Sequence, residues 1–209
     1  MASKRSEPSA ATVSLTALKF LISGGFGVGK TTLVGSVSEV RPLRTEETLS
    51  VAGTGVDDIA GVERKTATTV ALDYGRITIR DDLVLYLFGT PGQDRFWFMW
   101  DELAIGALGA VVLVDTRRLE LSFASIDYFE KRGLPFIIAA NQFPDSDDFA
   151  PGEIGQALDL DPEVPVMTFD ARRRESGKQV LITLVRYLID RTPPSSPPGM
   201  AQGASPVSP

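Results

Sequence analysis

Residues 24–32 read GGFGVGKTT, which fits the pattern G-x-x-x-x-G-K-[ST]. Residues 17–23 before it (ALKFLIS) form an apolar run typical of a buried strand, and residues 32–40 can continue as a helix. In that context the glycines let backbone N–H groups surround a β-phosphate, and the positive end of the helix dipole faces the same anion. The alternative is a glycine-rich turn before an ordinary helix, which gives no reason for the Lys-Thr pair. The stretch therefore predicts a nucleoside triphosphate site.

The side chains of this loop have separate expected roles. The Lys30 ammonium can reach the β- and γ-phosphates and assist catalysis, and the Thr31 hydroxyl can ligate Mg²⁺. The residues of the loop predicted to bind the nucleotide are Gly25, Gly27, Val28, Gly29, Lys30, Thr31 and Thr32.

The composition suits one globular domain with a tail at each end. The chain has 209 residues, of which 43% are hydrophobic. Residues 1–14 are rich in Ser, Ala and basic residues, and residues 192–209 are rich in Pro and Ser. Such segments cannot bury enough apolar surface to offset their ordering entropy, so we expect both tails to be disordered. The folded domain is predicted at residues 15–191.

Charge and residue usage exclude several classes of function. The net charge is −6, and the one basic cluster is residues 172–174, which argues against nucleic acid as the main partner. The chain has no cysteine and no histidine, which excludes disulfides, thiolate metal sites, cysteine lipidation and histidine acid–base catalysis. No run of about 18 apolar residues and no signal-peptide core is present. We expect a cytoplasmic protein that reaches a membrane, if at all, through a partner.

Apolar runs alternate with amphipathic ones, which is typical of a doubly wound α/β domain. A tripeptide at 80–82 is too short for a parallel crossover, so the runs at 68–79 and 83–88 should form an antiparallel hairpin. The sheet is therefore predicted to be mixed and six-stranded, with one antiparallel edge strand and helices on both faces. Strands are predicted at 18–23, at 68–72 and 75–79 (which together form one arm of the hairpin), and at 83–88, 110–114, 136–140 and 165–168. Helices are predicted at 30–40, 96–105, 123–132, 151–157 and 176–191.

A second phosphate-contacting loop is predicted directly after the strand at 83–88, where the sequence reads GTPGQDRF. The Gly92 N–H can meet the γ-phosphate, and the Gln93 amide can orient the attacking water. Pro91 followed by Gly92 also fits an ordinary type II turn, and both interpretations can hold at once.

The long segment between the first helix and the hairpin predicts a loop that responds to the nucleotide, because loops of about 25 residues in compact domains are commonly functional. It ends in TATTV. The hydroxyl and N–H of Thr69, or failing that of Thr68, can close on Mg²⁺ and the γ-phosphate. The alternative is a β-branched strand start.

Together the P-loop, the TTVALDYG entry to the hairpin, the FGTPGQ loop and Asn-Gln-Phe after a strand resemble the Ras-like small GTPases. More narrowly, they resemble the bacterial branch with the gliding-motility Mgl GTPases and the actinobacterial conservon GTP-binding proteins. The resemblance covers about residues 15–190 and implies a Ras-like P-loop fold, GTP or GDP with Mg²⁺, and slow hydrolysis stimulated by a partner. A Roadblock-type regulator and a membrane sensor kinase are the partners that it implies.

One departure from the general small-GTPase pattern D-x-x-G concerns the metal. Gly89 stands where most small GTPases have the aspartate, as in the bacterial branch. The missing carboxylate removes an acceptor from the surroundings of Mg²⁺. Tight Mg²⁺ binding without nucleotide is therefore not expected.

Base recognition is less clearly encoded. Small GTPases read guanine with N-K-x-D, whose aspartate accepts from two guanine N–H groups. Here Asn141 matches, Gln142 replaces the lysine and Pro144 takes the aspartate position. Asn141, Gln142 and Asp145 are the candidates to bind the base, although Asp145 follows one residue late and can reach the base only if the proline reshapes the turn. A plain surface loop fits the same residues. In the later S-A-K position the chain has Asp-Ala-Arg, so the resemblance places the Ala171 N–H at the guanine oxygen.

Catalysis is expected to be positional and electrostatic. Either Arg95 or Arg64 can supply a cationic finger, and either can instead be a surface charge. The apolar residues 96–100 (FWFMW) cannot all face the core of one helix. They are expected to form a partner surface or a wedge between the loop and the core.

Two rival functions stay open at this point. The run GAVVLVD ends at Asp115 and fits a Walker B pattern, so a P-loop ATPase can use Asp115 to hold Mg²⁺. In a small GTPase the same position has a structural role. The second rival is a nucleotide-binding interaction module that does not hydrolyse, which the departures at Gly89 and Pro144 favour.

Overall fold

A central sheet organises the fold in a computed structural model that describes residues 15–41, 43–49, 68–92 and 98–192. Within these residues the sheet has seven strands in the order β2-β3-β4-β1-β5-β6-β7. The strands are β1 (Thr16–Ser23), β2 (Leu43–Leu49), β3 (Thr68–Arg80), β4 (Leu83–Gly89), β5 (Gly109–Val114), β6 (Phe136–Asn141) and β7 (Val166–Phe169).

The predicted α/β fold with a mixed sheet is confirmed. Strands β1, β4, β5, β6 and β7 pair in parallel, whereas β3 is antiparallel to β4. All six predicted strands are present, because the runs at 68–72 and 75–79 belong to one long strand. A seventh strand, β2, pairs antiparallel with the outer side of β3, so the antiparallel strand is not the edge. The prediction of an irregular loop for residues 43–49 is therefore wrong.

Gly75 lies within β3, and the strand continues through it without a break. A Cβ at this position would lie 2.8 Å from Val34 Cγ1 on the first helix. Glycine thus lets the helix approach the strand closely, rather than marking a turn between two strands.

Five α-helices were predicted, and all five are found. They are α1 (Lys30–Val37), α2 (Phe98–Ala104), α3 (Phe123–Arg132), α4 (Pro151–Ala157) and α5 (Arg174–Arg191), and a 3-10 turn precedes α3 at Leu119–Ser122. Helix α1 ends three residues earlier than predicted, because the Ser38 hydroxyl donates to the Val40 carbonyl and accepts from the Arg76 N–H of β3. Two residues predicted to open α2, at 96–97, lie outside the described residues.

Two apolar layers cover the sheet. On one face α1 and α5 pack against the sheet through residues such as Leu33 and Leu184, and on the other face α3 and α4 contribute Phe129 and Ile154. Every residue of β5 and β6 is buried. Burial of one such large apolar side chain contributes about 1.5–3 kcal/mol, which is what holds both helix layers on the sheet.

The site elements all lie at one edge of this sheet. The parallel strands β1, β4, β5, β6 and β7 end at the same edge, and β1 lies between β4 and β5 in its middle. In open α/β sheets, ligands bind outside the carboxyl ends of the strands, near such a central switch point.

Two predictions about the whole chain, the disordered tails and the lack of a transmembrane helix, can be compared only with the described residues. The tails predicted at 1–14 and 192–209 lie, except for Thr192, outside the described residues. In the part of the chain that the structure describes, no helix has the length and apolar character needed to cross a membrane.

Candidate nucleotide-binding site

The loop between β1 and α1 has the backbone shape that phosphate binding requires. Gly24 and Gly29 have φ angles of 129° and 109°, in the left-handed region that favours glycine. A Cβ on Gly24 would lie 2.3 Å from the Leu113 carbonyl oxygen, and one on Gly29 would lie 2.7 Å from Asn141 Nδ2. Neither position therefore admits a side chain.

The first turn of α1 completes this loop. The helix begins at Lys30, so the N–H groups of Lys30, Thr31 and Thr32 precede the first intrahelical hydrogen bonds and are available to an anion. The structure thus brings together the predicted phosphate-binding residues, which are Gly25, Gly27, Val28, Gly29, Lys30, Thr31 and Thr32.

Lys30 lies where two loops meet. Its Nζ donates to the carbonyl oxygens of Gly24 at 2.7 Å and Gly25 at 2.8 Å. A Cβ on Gly92, in the loop after β4, would lie 2.7 Å from the same Nζ. Burial lowers the pKa of Lys30 to about 8, and the opposing attraction of Asp73 is smaller. The ammonium is therefore held between the P-loop and the second predicted phosphate loop.

The Thr31 hydroxyl has a carboxylate partner that the sequence analysis missed. Thr31 Oγ1 donates to Asp73 Oδ2 at 2.7 Å, and Asp73 lies on the neighbouring strand β3. Hydroxyl and carboxylate oxygens are the ligand types that Mg²⁺ prefers. This pair has the right chemistry for a magnesium ion beside a polyphosphate.

The lack of a side chain at Gly89 leaves room for the Asp73 carboxylate beside Thr31. A Cβ on Gly89 would lie 2.9 Å from Asp73 Cβ and 3.2 Å from Asp73 Oδ2. The Asp73 side chain therefore occupies the space that a residue-89 side chain would enter. The expectation that Gly89 leaves the site without this acceptor is corrected, because the carboxylate comes from the adjacent strand.

Thr69 does not lie beside Thr31 and Asp73. It lies near the start of β3, opposite Thr48 of β2. A strand rises about 3.3 Å per residue, so Thr69 is ~13 Å along β3 from Asp73. Its predicted roles toward Mg²⁺ and the nucleotide stay predictions and require the start of β3 to move.

The loop after β4 is fixed to the P-loop strand by hydrogen bonds. The Thr90 N–H donates to the Ile22 carbonyl at 2.8 Å, and its hydroxyl donates to Ser23 Oγ at 3.0 Å. Ser23 Oγ in turn donates to Ser125 Oγ on α3 at 3.0 Å. This buried chain places Gly92 against the P-loop. Gln93, Arg95 and Arg64 lie outside the described residues, so their catalytic roles stay predictions.

Both interpretations of the aromatic stretch at 96–100 find support in the described part of it. Trp100 is buried, donates from Nε1 to the Pro91 carbonyl at 3.2 Å and packs on Tyr128 and Phe129. Phe98 is 60% exposed. Trp100 therefore wedges the loop against the core, and Phe98 is available to a partner.

Asp115, the Walker B candidate, is already paired. Its carboxylate accepts from Arg117 Nε at 2.9 Å and Nη2 at 2.8 Å, and from Arg118 Nη2 at 3.3 Å. The hydrogen bonds from Arg117 lower the pKa of Asp115 to about 2, against the opposing effect of burial. Thr31 donates to Asp73 instead. This arrangement supports a structural role for Asp115 rather than metal binding.

We expect the Asp115→Asn substitution to lower the free energy of unfolding by about 1–3 kcal/mol, because it removes a buried carboxylate from two guanidinium groups. Since the folded-state pKa is lowered, this stabilisation is present above pH 3.8 and is lost as the pH falls toward about 2. Urea unfolding at neutral pH measures the loss. Mg²⁺-dependent hydrolysis by the folded variant should match the wild type, and its abolition would restore the Walker B role.

The Asn141 side chain links the P-loop to the loop after β7. Its Nδ2 donates to the Val28 carbonyl at 3.0 Å, and its Oδ1 accepts from the Ala171 N–H at 3.0 Å. The side chain is buried, so both ends of the amide need these partners. The structure places Asn141 and Ala171 together as predicted, but it directs their hydrogen bonds to the protein.

The loop after β6 is a closed turn. The Ser146 N–H donates to the Phe143 carbonyl at 3.1 Å, and Ser146 Oγ accepts from the Phe143 N–H at 3.1 Å. Pro144 and Asp145 form its exposed tip, and Gln142 is also exposed. Arg117 lies over the Phe143 ring at 4.1 Å. The pKa of Arg117 is raised mainly by its hydrogen bonds to Asp115 and to a smaller extent by the charge of Asp145. Among the described residues, no hydrogen bond or ion pair joins Gln142 or Asp145 to Ala171.

The fold and site define a class. A mixed sheet with a glycine-rich loop after its central strand, followed by a helix that starts at Lys-Thr, is a nucleotide-binding P-loop NTPase fold. Solved structures agree. The G domain of the T. maritima FeoB iron transporter aligns with 82% of this chain and 99% of its own, at a TM-score of 0.57 and 18% identity. The cytosolic domain of that transporter in apo form gives a TM-score of 0.58 at 17% identity, and the match covers 83% of this chain and 64% of that domain.

The chain belongs to the family described as "Conserved hypothetical ATP binding protein", whose model matches residues 22–191. A relative in Methanocaldococcus jannaschii, uncharacterized protein MJ1339, is 32% identical over 127 residues, which are 60% of this chain and 70% of the relative. The solved G-domain structures confirm the expected P-loop GTPase-like fold.

Proposed function

We propose that this protein is a GTP-binding molecular switch that hydrolyses GTP slowly. The observation that carries the proposal is the set Lys30, Thr31 and Asp73, which places an ammonium, a hydroxyl and a carboxylate around one P-loop. Thr31 and Asp73 are the residues that would hold Mg²⁺. When bound there, Mg²⁺ supplies positive charge to the β- and γ-phosphates.

The chain's own groups then bind and orient the substrate. Backbone N–H groups of the P-loop and the Lys30 ammonium hold the phosphates, and Gly92 lies close enough to Lys30 to approach the terminal phosphate. Gln93 is the residue proposed to orient the attacking water, with Arg95 or Arg64 as a cationic finger. None of these groups is a strong base, so unassisted turnover should be slow.

Signalling requires partners. The resemblance to the Mgl and conservon proteins supports a Roadblock-type regulator and a membrane sensor kinase, with recruitment from the cytoplasm to the membrane through them. Phe98, exposed next to the second phosphate loop, supports a partner contact that depends on the nucleotide.

A specific observation favours ATP as a second candidate ligand. The family carries the description "ATP binding". In addition, the Ala171 N–H that would meet the guanine oxygen is donated to Asn141.

Single-turnover phosphate release tests the proposal. Protein in excess over γ-labelled GTP with Mg²⁺ should release one phosphate per bound nucleotide at about 10⁻⁴–10⁻² per second, the range of GTPases that act without an activating partner. The Gln93→Leu variant should retain GTP and release phosphate more slowly, whereas Asp82→Asn on the β3–β4 turn should match the wild type. Retention of GTP without any release would identify a non-hydrolysing module instead.

A further inference from the structure

The hydrogen bonds that the groups around the expected base site already form within the protein determine whether the site can distinguish guanine from adenine. Guanine presents an acceptor, its O6, and donors at N1 and the 2-amino group, whereas adenine presents a donor at its 6-amino group and an acceptor at N1. A protein selects guanine when a free N–H faces O6 and a free carboxylate faces the two donors.

The backbone donors expected at O6 are engaged within the protein. The Ala171 N–H donates to Asn141 Oδ1, and the buried Asn141 side chain is fixed by its second bond to the Val28 carbonyl. Freeing the Ala171 N–H for a base would leave a buried amide oxygen without a partner. The next donor along the chain, the Arg172 N–H, binds Asp170 Oδ1 at 3.0 Å.

The carboxylate next to Ala171 and the one next to the guanine-reading position are engaged or displaced. Both oxygens of Asp170 accept from the Arg172 guanidinium, at 2.8 and 2.9 Å. The position of the guanine-reading aspartate is Pro144, and three hydrogen bonds between Phe143 and Ser146 close the turn that contains it. Asp145 lies at the exposed tip of that turn, one residue beyond the position that reads guanine.

We propose that this site accepts purine nucleoside triphosphates as a class, selecting the polyphosphate and Mg²⁺ and distinguishing little between guanine and adenine. The inference rests on the proposed function, since it concerns the same site. A site rejects the wrong ligand strongly when that ligand leaves the site's own polar groups unpaired. Here those groups are paired with one another, so neither base leaves them unsatisfied.

Competition binding with three nucleotides tests this. The dissociation constants of GTP, ATP and inosine triphosphate are measured by displacement of a fluorescent GDP analogue at fixed Mg²⁺. Inosine keeps O6 and N1–H but lacks the 2-amino group, so it reports on a carboxylate that reads guanine. We expect all three constants to agree within tenfold. A preference above tenfold for one base, or a loss above tenfold for inosine, would overturn the proposal.

Two variants sharpen the result. Pro144→Asp restores the missing carboxylate. It should increase the affinity for GTP relative to that for ATP by tenfold or more. Asp145→Asn, the matched control on the same turn, should leave that ratio unchanged, and a fall in GTP preference would show that Asp145 reads guanine and would overturn the proposal. Circular dichroism melts establish that both variants fold. If no nucleotide binds to the wild type, the proposed function itself fails. Tight binding with a strong preference for GTP defeats the inference alone, and a strong preference for ATP defeats both.

Discussion

Replacing Lys30 with methionine is expected to weaken nucleoside triphosphate binding by about 10- to 100-fold, the effect of losing a charge-assisted hydrogen bond of about 1.5–3 kcal/mol. The ammonium already lies on the P-loop, at 2.7 and 2.8 Å from two of its carbonyl oxygens. Polyphosphate oxygens at this loop would be stronger acceptors, because they are charged. Displacement titrations with fluorescent GTP and ATP analogues measure the change.

Lys19→Met is the matched control. Lys19 donates to the Ile105 carbonyl at 2.8 Å, away from the P-loop. This variant should bind nucleotide like the wild type. Unchanged retention of nucleotide by a folded Lys30→Met protein would contradict the phosphate site altogether.

The pKa of Lys30 predicts how binding depends on pH. Burial lowers this pKa to about 8 in the free protein, and a bound polyphosphate would raise it by attraction. Below pH 8 the lysine is already protonated, so affinity should be flat. Above pH 8 binding must take up a proton, and affinity should fall by up to about tenfold per pH unit. Titrations between pH 7.5 and 9.5 measure this slope, and Lys30→Met should remove it.

The phosphate loop could be predicted from the sequence because its requirements are local. Left-handed backbone angles at Gly24 and Gly29, and a helix beginning at Lys30, follow from residue types that are adjacent in the chain. The strands β5 and β6 could also be located, since continuous apolar runs match burial on both sides of a parallel sheet.

Strand β2 could not be located in the same way. Its sequence LRTEETL lacks the apolar pattern of a buried strand and includes charged residues that are uncommon in strands. Its pairing with β3 comes from backbone hydrogen bonds along the edge of the sheet, which sequence periodicity does not report.

Asp73 was missed because its role depends on strand register. Tyr74 pairs with Phe88 across the β3–β4 ladder, which sets Asp73 beside Gly89. A shift of one residue would turn Asp73 to the opposite face of the sheet. For Asn141 the motif was recognised from the sequence, but the role was not. Its amide forms hydrogen bonds to Val28 and Ala171 and so links two loops of the protein.

Replacing Asp73 with asparagine is expected to weaken Mg²⁺-dependent nucleotide binding and hydrolysis by about 10- to 100-fold, because the carboxylate paired with Thr31 at the proposed Mg²⁺ site loses its charge. The shape of the side chain and its bond to Thr31 Oγ1 can persist, so the fold should be retained. Titration of Mg²⁺ at saturating nucleotide, with single-turnover hydrolysis as the readout, measures the effect. Asp82→Asn on the same hairpin removes an equal charge and should have no effect.

A double variant tests whether the carboxylate rather than its strand of origin matters. A Cβ on Gly89 would lie 2.9 Å from Asp73 Cβ, so the two positions cannot both hold side chains. Gly89→Asp alone should therefore destabilise the fold, whereas Asp73→Gly combined with Gly89→Asp should recover most of the Mg²⁺ dependence that Asp73→Gly loses. Recovery requires only that a carboxylate from β4 reach the Thr31 hydroxyl from the space that Asp73 leaves. A folded double variant with no better Mg²⁺ response than Asp73→Gly would show that the carboxylate must come from β3 and would overturn this prediction.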